Sequence, residues 1–249
     1  MTVLAVRVNR SLSRVCDAYT GQVIALVEPA GQLSRYGLGR LMFLVSDTLA
    51  TLGEGTPGTP LTLGDHLNLR ELAADDVAEQ ISGLMGMEDA NTLARQLAPQ
   101  VSDLSAALSR PDLANTVSSR FGSVRLIDYL RASLILAVDL AIETVGVAQP
   151  PALTEAVRSL AGVLAERYPG RSIELRVPPY AAVQIGARAE APVHTRGTPP
   201  NVVETDPDTF LALATARQSW TRAVAAGSLV HSGTHAADAA RAFPVFRPH

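Results

Sequence analysis

The sequence of 249 residues has one cysteine, no lysine and few aromatic residues, which make up 4% of the chain. Its single cysteine, Cys16, cannot form an intramolecular disulfide or a zinc site built from several cysteines. The lack of lysine excludes Schiff-base chemistry on a lysine amine and a P-loop for phosphate. All 21 basic residues are arginines, and 24 acidic residues outnumber them. Because nucleic-acid-binding proteins normally carry a basic excess, we expect no nucleic-acid partner.

Long apolar runs are also missing, since none approaches the ~20 residues that a transmembrane helix needs. The first 15 residues contain scattered arginines and no compact apolar stretch before a small-residue cleavage site. We therefore expect neither a transmembrane segment nor a signal peptide, and hence a cytoplasmic protein. Apolar residues make up 47% of the chain and charged residues 18%, which is enough to build a folded core.

The first half of the chain has the pattern of a helical bundle. Apolar residues recur at helical spacing from Leu69 to Ile81 and from Leu93 to Leu108. The stretch from 126 to 145 is apolar on most faces, as in a helix at the centre of a bundle. Two earlier helices are expected over 11–27 and 38–52. These segments predict an all-α domain of four or five helices over residues 1–150.

The second half, residues 151–249, alternates between helix and strand patterns. A helix is predicted to begin at Thr154, after two prolines that end the preceding helix. Four stretches predict short strands, at 172–177, 180–185, 201–205 and 229–233. Together they predict an α+β domain in which helices pack on a small curved, mainly antiparallel sheet.

A further helix is predicted from its first residues, because Asp206 is a capping residue and Pro207 suits the first helical position. Gly227 is well placed to end a helix. The apolar face of the helix carries the only tryptophan; such a face is usually core, but it can also line a ligand cavity. With two residues of a preceding strand, the candidate cavity-lining residues are Val183, Ile185, Phe210, Leu213, Trp220 and Val224.

Motifs of established catalytic chemistry are absent, including GxSxG, HExxH, CxxC and a glycine-rich phosphate loop. We therefore predict no catalytic residue, no metal ligand and no cofactor. The densest polar segment is the loop at 193–205, in which an anion or carboxylate can be held by polar side chains. These candidates are His194, Arg196, Thr198 and Asn201. In the alternative interpretation, two prolines stiffen the loop while His194 and Arg196 anchor it to backbone carbonyls.

Two of the five histidines, His231 and His235, lie close together in the sequence. Their spacing binds a metal ion when both side chains lie on one helix. Here Gly233 falls between them and His231 falls in a predicted strand. We expect two surface histidines near a turn.

Several segments of the second half resemble bacterial sterol-carrier-like proteins. They are PGRSIELRVPPYAAVQ at 169–184, the loop at 194–204, and the segments 205–217 and 223–233. The resemblance covers roughly residues 152–246. It implies a curved five-stranded sheet covered by helices, an apolar cavity between them, and a lipid or other hydrophobic ligand.

The first half is similar to the mycothiol-dependent maleylpyruvate isomerase family, whose DinB-like bundle is often fused to such a C-terminal domain. The similarity rests on Leu61–Leu67 and on Arg120–Arg131 with Asp139–Ala141. That family holds a metal ion with two histidines and a glutamate.

The alignment with this family places no metal-binding side chain at the three ligand positions. They are occupied by Leu44, Ala132 and Leu136. The resemblance therefore implies that the metal site is lost and that aliphatic side chains fill the core in its place. A displaced site is the alternative, with Asp47, Asp128 or Asp139 as ligands, and we do not expect it because no histidine lies nearby.

The leading hypothesis is a non-enzymatic binding or carrier protein for a hydrophobic ligand, lipid-like or acyl. One alternative is an enzyme, a mycothiol-dependent isomerase or transferase that acts without the usual metal ligands. A second alternative is a structural or regulatory partner protein whose cavity is filled by its own side chains.

Overall fold

The computed structural model of the protein describes residues 9–27, 33–53, 58–186 and 201–248. These residues divide into two compact units. The helical unit comprises the described residues within 1–66 and 75–152, and the mixed unit comprises those within 67–74 and 153–249. The two units differ from the predicted domains in residues 67–74 and 151–152, and the domain bounds 1–150 and 151–249 stay a prediction.

Helices form most of the helical unit, as the apolar periodicity predicts. They are α1 (Arg10–Val27), α2 (Arg35–Thr51), α3 (Leu63–Leu72), α4 (Ala74–Met85), α5 (Ala90–Leu108) and α6 (Leu126–Thr144). Helix α3 is divided between the two units. Its residues up to His66 belong to the helical unit, and the residues from Leu67 onward belong to the mixed unit. Helix α6 is buried on most faces and packs against α1 and α2, which confirms its predicted central place.

Two details of the helical unit differ from the expectations. The apolar spacing from Leu69 to Ile81 spans two helices, because the chain leaves helical geometry at Ala73. A hairpin that the sequence did not indicate joins α5 to α6 and consists of β1 (Thr116–Ser119) and β2 (Gly122–Arg125). Its strands have four residues each, too few to show a clear alternating pattern.

The mixed unit combines helices with a small sheet, which confirms the predicted α+β class. Its elements are α7 (Pro150–Arg167), β3 (Ile173–Val177), β4 (Ala181–Ile185), β5 (Asn201–Thr205), α8 (Pro207–Ala214), α9 (Trp220–Ala225), β6 (Leu229–Ser232) and a 3₁₀ helix (Ala236–Ala242). Helix α7 begins at Pro150 and not at Thr154. Prolines are tolerated there because the first N–H groups of a helix have no intrahelical acceptor.

The sheet of the mixed unit has the strand order β4-β3-β5-β6. The outer pairs β3–β4 and β5–β6 are antiparallel, whereas the central pair β3–β5 is parallel. The sheet is therefore mixed and mainly antiparallel, with four strands among the described residues where the resemblance implied five. Alternate residues of β3, Ile173, Leu175 and Val177, are buried, so one face of the sheet packs on the core.

The single helix predicted after Asp206 is in fact two helices, α8 and α9. Ala216 has a φ of 63°, a left-handed conformation through which an α-helix does not continue. The N–H of Gln218 donates to the carbonyl of Ala212 at 2.9 Å, which closes the turn between the helices. The prediction of one continuous apolar face from Phe210 to Val224 is therefore wrong. The apolar residues keep helical spacing in the sequence although the helix itself is interrupted at Ala216.

Both predicted helix caps of this region are present. The Asp206 carboxylate accepts the N–H of Thr209 at 2.9 Å, at the start of α8. Gly227 has a φ of 71° just after α9, and its N–H donates to the carbonyl of Val224. Local capping chemistry is thus read correctly from the sequence even where the helix length is not.

No helix among the described residues is long and apolar enough to span a membrane. The cytoplasmic location stays a prediction.

Candidate functional site

The strongest candidate for a functional site is a recess in the mixed unit, which we call the aromatic recess. It has a volume of about 250 Å³. It is built from the end of α8, the connection to α9, the start of α9, and the 3₁₀ helix with the two residues after it. The lining residues are Leu213, Ala216, Gln218, Ser219, Trp220, Ala240, Phe243 and Pro244.

Aromatic rings form one side of the recess. The ring centroids of Trp220 and Phe243 are 6.0 Å apart, with an angle of 37° between the ring planes. Behind them, Phe210 meets Phe243 edge to face at 6.0 Å. Phe210 is fully buried, whereas Trp220 and Phe243 are half-buried. The accessible ring of Phe243 is thus supported from within by a buried one, an arrangement that holds its orientation.

His231 of β6 extends this group of rings. Its centroid lies 6.1 Å from that of Trp220, at an angle of 33°. The side chain is exposed, in line with the surface position predicted for it. His235, by contrast, places its Nδ1 3.4 Å from the carboxylate of Asp238.

Among the described residues that line the recess, no side chain is charged, and the two polar side chains are Gln218 and Ser219. The Ser219 hydroxyl oxygen accepts the N–H of Arg222 at 3.3 Å at the start of α9, which leaves its own hydrogen available for donation. The Gln218 side-chain amide makes no hydrogen bond within the part of the chain that the structure describes. The recess therefore offers apolar contact with a few neutral hydrogen-bonding groups.

The residues predicted to line a cavity lie in different environments. Leu213 and Trp220 line the recess, and Phe210 supports it. Ile185 is buried and Val183 is half-buried on β4, while Val224 on α9 is 36% exposed. Their common role as the wall of one ligand cavity stays a prediction.

The predicted polar contacts divide in a similar way. His194, Arg196 and Thr198 lie outside the described residues. Asn201 is buried at the start of β5, where its Nδ2 donates to the carbonyl of Ser172 and its Oδ1 accepts the N–H of His235, both at 2.8 Å. Its amide is thus used to join parts of the mixed unit, and a role in holding an anion stays a prediction.

Sequence reasoning missed several lining residues, above all Phe243 and Pro244. They come from the end of the chain and reach the recess only through tertiary packing, so no local pattern marked them. One signal was present: Ser219 is a capping residue, and its side chain does accept an N–H at the start of α9. That signal predicts a helix beginning at Trp220 and a turn before it.

In the helical unit, the three positions aligned with metal ligands do not fit a metal ion. Leu44 and Ala132 are buried and Leu136 is half-buried, and none has a donor atom in its side chain. Among the described residues, no group of three or more His, Cys, Asp or Glu side chains is arranged to hold a metal ion.

The three carboxylates considered for a displaced site have partners of their own. Asp47 accepts the hydroxyl of Tyr129 at 2.7 Å. Asp128 is paired with Arg125 at 2.5 Å, and Asp139 lies 3.8 Å from Arg40. A histidine that the alignment did not place there, His66, is fully buried with its ring 5.7 Å from that of Tyr129.

Cys16 is buried on α1 in the helical unit. Burial, together with the nearby charge of Asp17, raises the pKa of its thiol to about 11. Since the thiolate is the nucleophilic form, this cysteine is unreactive at neutral pH.

The mixed unit is thus a small α+β domain with helices on a mainly antiparallel sheet. Residues 149–245 match the family described as bacterial SCP ortholog, in which SCP denotes sterol carrier protein. The match confirms the resemblance of the second half. It covers less than half of the chain and assigns that region alone.

One solved structure that is similar to the chain is a crystal structure of a mutant of the mycothiol-dependent maleylpyruvate isomerase. It is 15% identical, with a TM-score of 0.44, and the similarity covers 93% of this chain and 96% of that one. This is the family that the first half of the chain resembles in sequence. Similarity at this level supports no argument about activity. Among curated proteins, none matches this chain.

Proposed function

We propose that the protein binds a hydrophobic small molecule in the aromatic recess and does not act on it chemically. The observation that carries this proposal is an accessible aromatic recess, with no charge on its described lining residues, inside the region that matches the bacterial sterol carrier family. Binding free energy would come mainly from removing apolar surface from water, at ~25 cal/mol per Å².

The size of the recess limits what it can enclose. Pockets that bury a drug-sized ligand have volumes of ~300–1,000 Å³, and this recess has about 250 Å³. The proposed ligand is therefore a small apolar molecule, or the apolar end of an acyl or lipid-like molecule whose remainder stays outside.

A fluorescent fatty-acyl probe tests this function, with a variant that fills the recess. Ala240 lines the recess, while Ala237 is exposed on the same 3₁₀ helix and does not line it. We expect saturable binding by the wild type and by Ala237→Leu, and at least about a ten-fold loss in Ala240→Leu, because the larger side chain occupies the space of the ligand.

Two outcomes would contradict the proposal. One is the absence of saturable binding by the wild type of any hydrophobic probe, whether fatty-acyl or small aromatic. The other is equal affinity in Ala240→Leu and Ala237→Leu, with both variants shown to be folded by circular dichroism.

The proposed lack of catalysis is supported by the helical unit. The aligned positions Leu44, Ala132 and Leu136 offer no metal donor, and the thiol of Cys16 stays protonated at neutral pH. Metal analysis of the purified protein tests this point directly. We expect no stoichiometric metal, and one zinc ion per chain retained through dialysis would favour the isomerase or transferase alternative.

A further inference from the structure

The aromatic recess has a size suited to a small ring. A cavity of about 150 Å³ lined by apolar side chains holds benzene. The recess, at about 250 Å³, has room for a substituted ring or two fused rings. A sterol nucleus or a long acyl chain would remain largely outside, so neither gains most of its apolar burial here.

The walls of the recess favour a flat aromatic molecule over an aliphatic one. Trp220 and Phe243 both line it, and their planes are inclined by 37°. A planar guest that stacks on one ring is inclined by 37° to the other, so its flat face can contact both rings. Because Phe210 supports Phe243 from the buried side, the wall is largely preformed.

The polar groups of the recess favour a neutral guest with one hydrogen-bonding substituent. Gln218 offers both a donor and an acceptor, and Ser219 retains its hydroxyl hydrogen. An ionised group placed against this lining loses water without gaining an opposite charge. Arg217 and Arg241 adjoin lining residues in the sequence, but both are exposed and neither lines the recess.

Resting on the proposed function, we infer that the recess selects small neutral aromatic molecules with one hydrogen-bonding group, of the phenol and indole class. Trp220 and Phe243 supply the stacking surfaces, and Gln218 recognises the hydroxyl or N–H. This ligand class is smaller than a lipid and differs from it in shape.

Isothermal titration calorimetry on the full chain tests the inference with matched probes. Phenol and indole are compared with cyclohexanol, which lacks the aromatic ring, with toluene, which lacks the polar group, and with benzoate, which is charged. We expect phenol and indole to bind at least several-fold more tightly than each of the other three.

A variant isolates the polar contact. Gln218→Leu is expected to weaken phenol binding roughly three- to ten-fold, the loss of one hydrogen bond, while toluene binding is unchanged or tighter. The matched control is Gln184→Leu, an exposed position on β4, which should change neither affinity.

The outcomes separate this inference from the function on which it rests. If the fatty-acyl probe binds and is lost in Ala240→Leu, but phenol and indole neither bind nor displace it, the inference is wrong and the proposed function stands. If cyclohexanol or benzoate binds as tightly as phenol, the assigned ligand class is also wrong. If no probe binds, acyl or aromatic, the proposed function itself fails.

Discussion

The helical unit and the mixed unit use their polar and aromatic residues differently. In the helical unit, buried polar groups are paired across helices, as Arg40 of α2 is with Asp139 and Glu143 of α6. In the mixed unit, aromatic rings line a recess whose described lining residues carry no charge. The polar groups of the bundle thus hold helices together, whereas the aromatic rings of the mixed unit line the proposed ligand site.

The largest effect is expected from removing the buried cation of the helical unit. Arg40 is 6% exposed and Asp139 is 1% exposed. Arg40→Met removes the cation that lies 3.8 Å from the buried Asp139 carboxylate, which is expected to lower the free energy of unfolding by about 3–5 kcal/mol. Urea unfolding followed by circular dichroism measures the change.

Two comparisons sharpen that prediction. Glu143 is 47% exposed at its side chain, so Glu143→Gln should cost only about 0–1 kcal/mol. Ligand affinity of folded Arg40→Met at the aromatic recess should equal that of the wild type. A loss of affinity in the folded variant would break the assignment of binding to the mixed unit.

The next effect concerns a close backbone contact in the mixed unit. A Cβ atom at Gly170 would lie 2.6 Å from the Cα of Gly186, so Gly170→Ala forces backbone to move and should cost about 1–3 kcal/mol. Gly162 lies within α7 with no atom near its added Cβ, and Gly162→Ala should stabilise by about 0.5–1 kcal/mol. Thermal unfolding of both variants should show shifts of opposite sign. Two shifts of the same sign would contradict the packing described.

A smaller effect is expected at the start of α8. Asp206→Ala removes the side chain that accepts the Thr209 N–H and should cost about 1 kcal/mol. Helix α8 carries Leu213, which lines the aromatic recess together with Trp220. Because Trp220 is the only tryptophan, its fluorescence follows the unfolding of this region. Asp206→Asn keeps an oxygen acceptor and should recover most of the loss. If Asn behaves like Ala, the capping interaction is not the cause.

The smallest effect at neutral pH belongs to Cys16 of the helical unit. Burial raises the pKa of its thiol from 9.0 to about 11. The neutral thiol therefore contributes stability that is present below about pH 9 and is lost as the pH rises towards about 11, because the unfolded chain ionises first. The melting temperature of the wild type, measured relative to that of Cys16→Ala, should fall as the pH rises through this range. A constant difference would contradict a buried thiol.

The sequence predicted features that depend on neighbouring residues. The cap at Asp206, the left-handed Gly227 and the apolar α6 follow from local hydrogen bonding and from periodicity, and all are present. The break at Ala216 was not predicted, because helical spacing of apolar residues continued across it and alanine rarely adopts a positive φ.

Only part of the candidate site could be predicted from the sequence, for a related reason. Leu213 and Trp220 belong to a recognisable apolar pattern, and both line the recess. Phe243 and Pro244 join them from a segment more than twenty residues further along the chain, and such a meeting depends on tertiary packing. The aliphatic residues at the aligned metal positions could be identified from the alignment alone, because a side chain without a donor atom cannot bind a metal ion.

The most direct test of the account is a crystal structure of the protein soaked with 4-bromophenol, in which the anomalous signal of bromine locates the bound ring. We predict one dominant bromine peak in the aromatic recess, with the ring against Trp220 and Phe243 and the hydroxyl within hydrogen-bond distance of Gln218. A dominant peak in the helical unit, or a recess left empty while the compound binds in solution, would contradict the account.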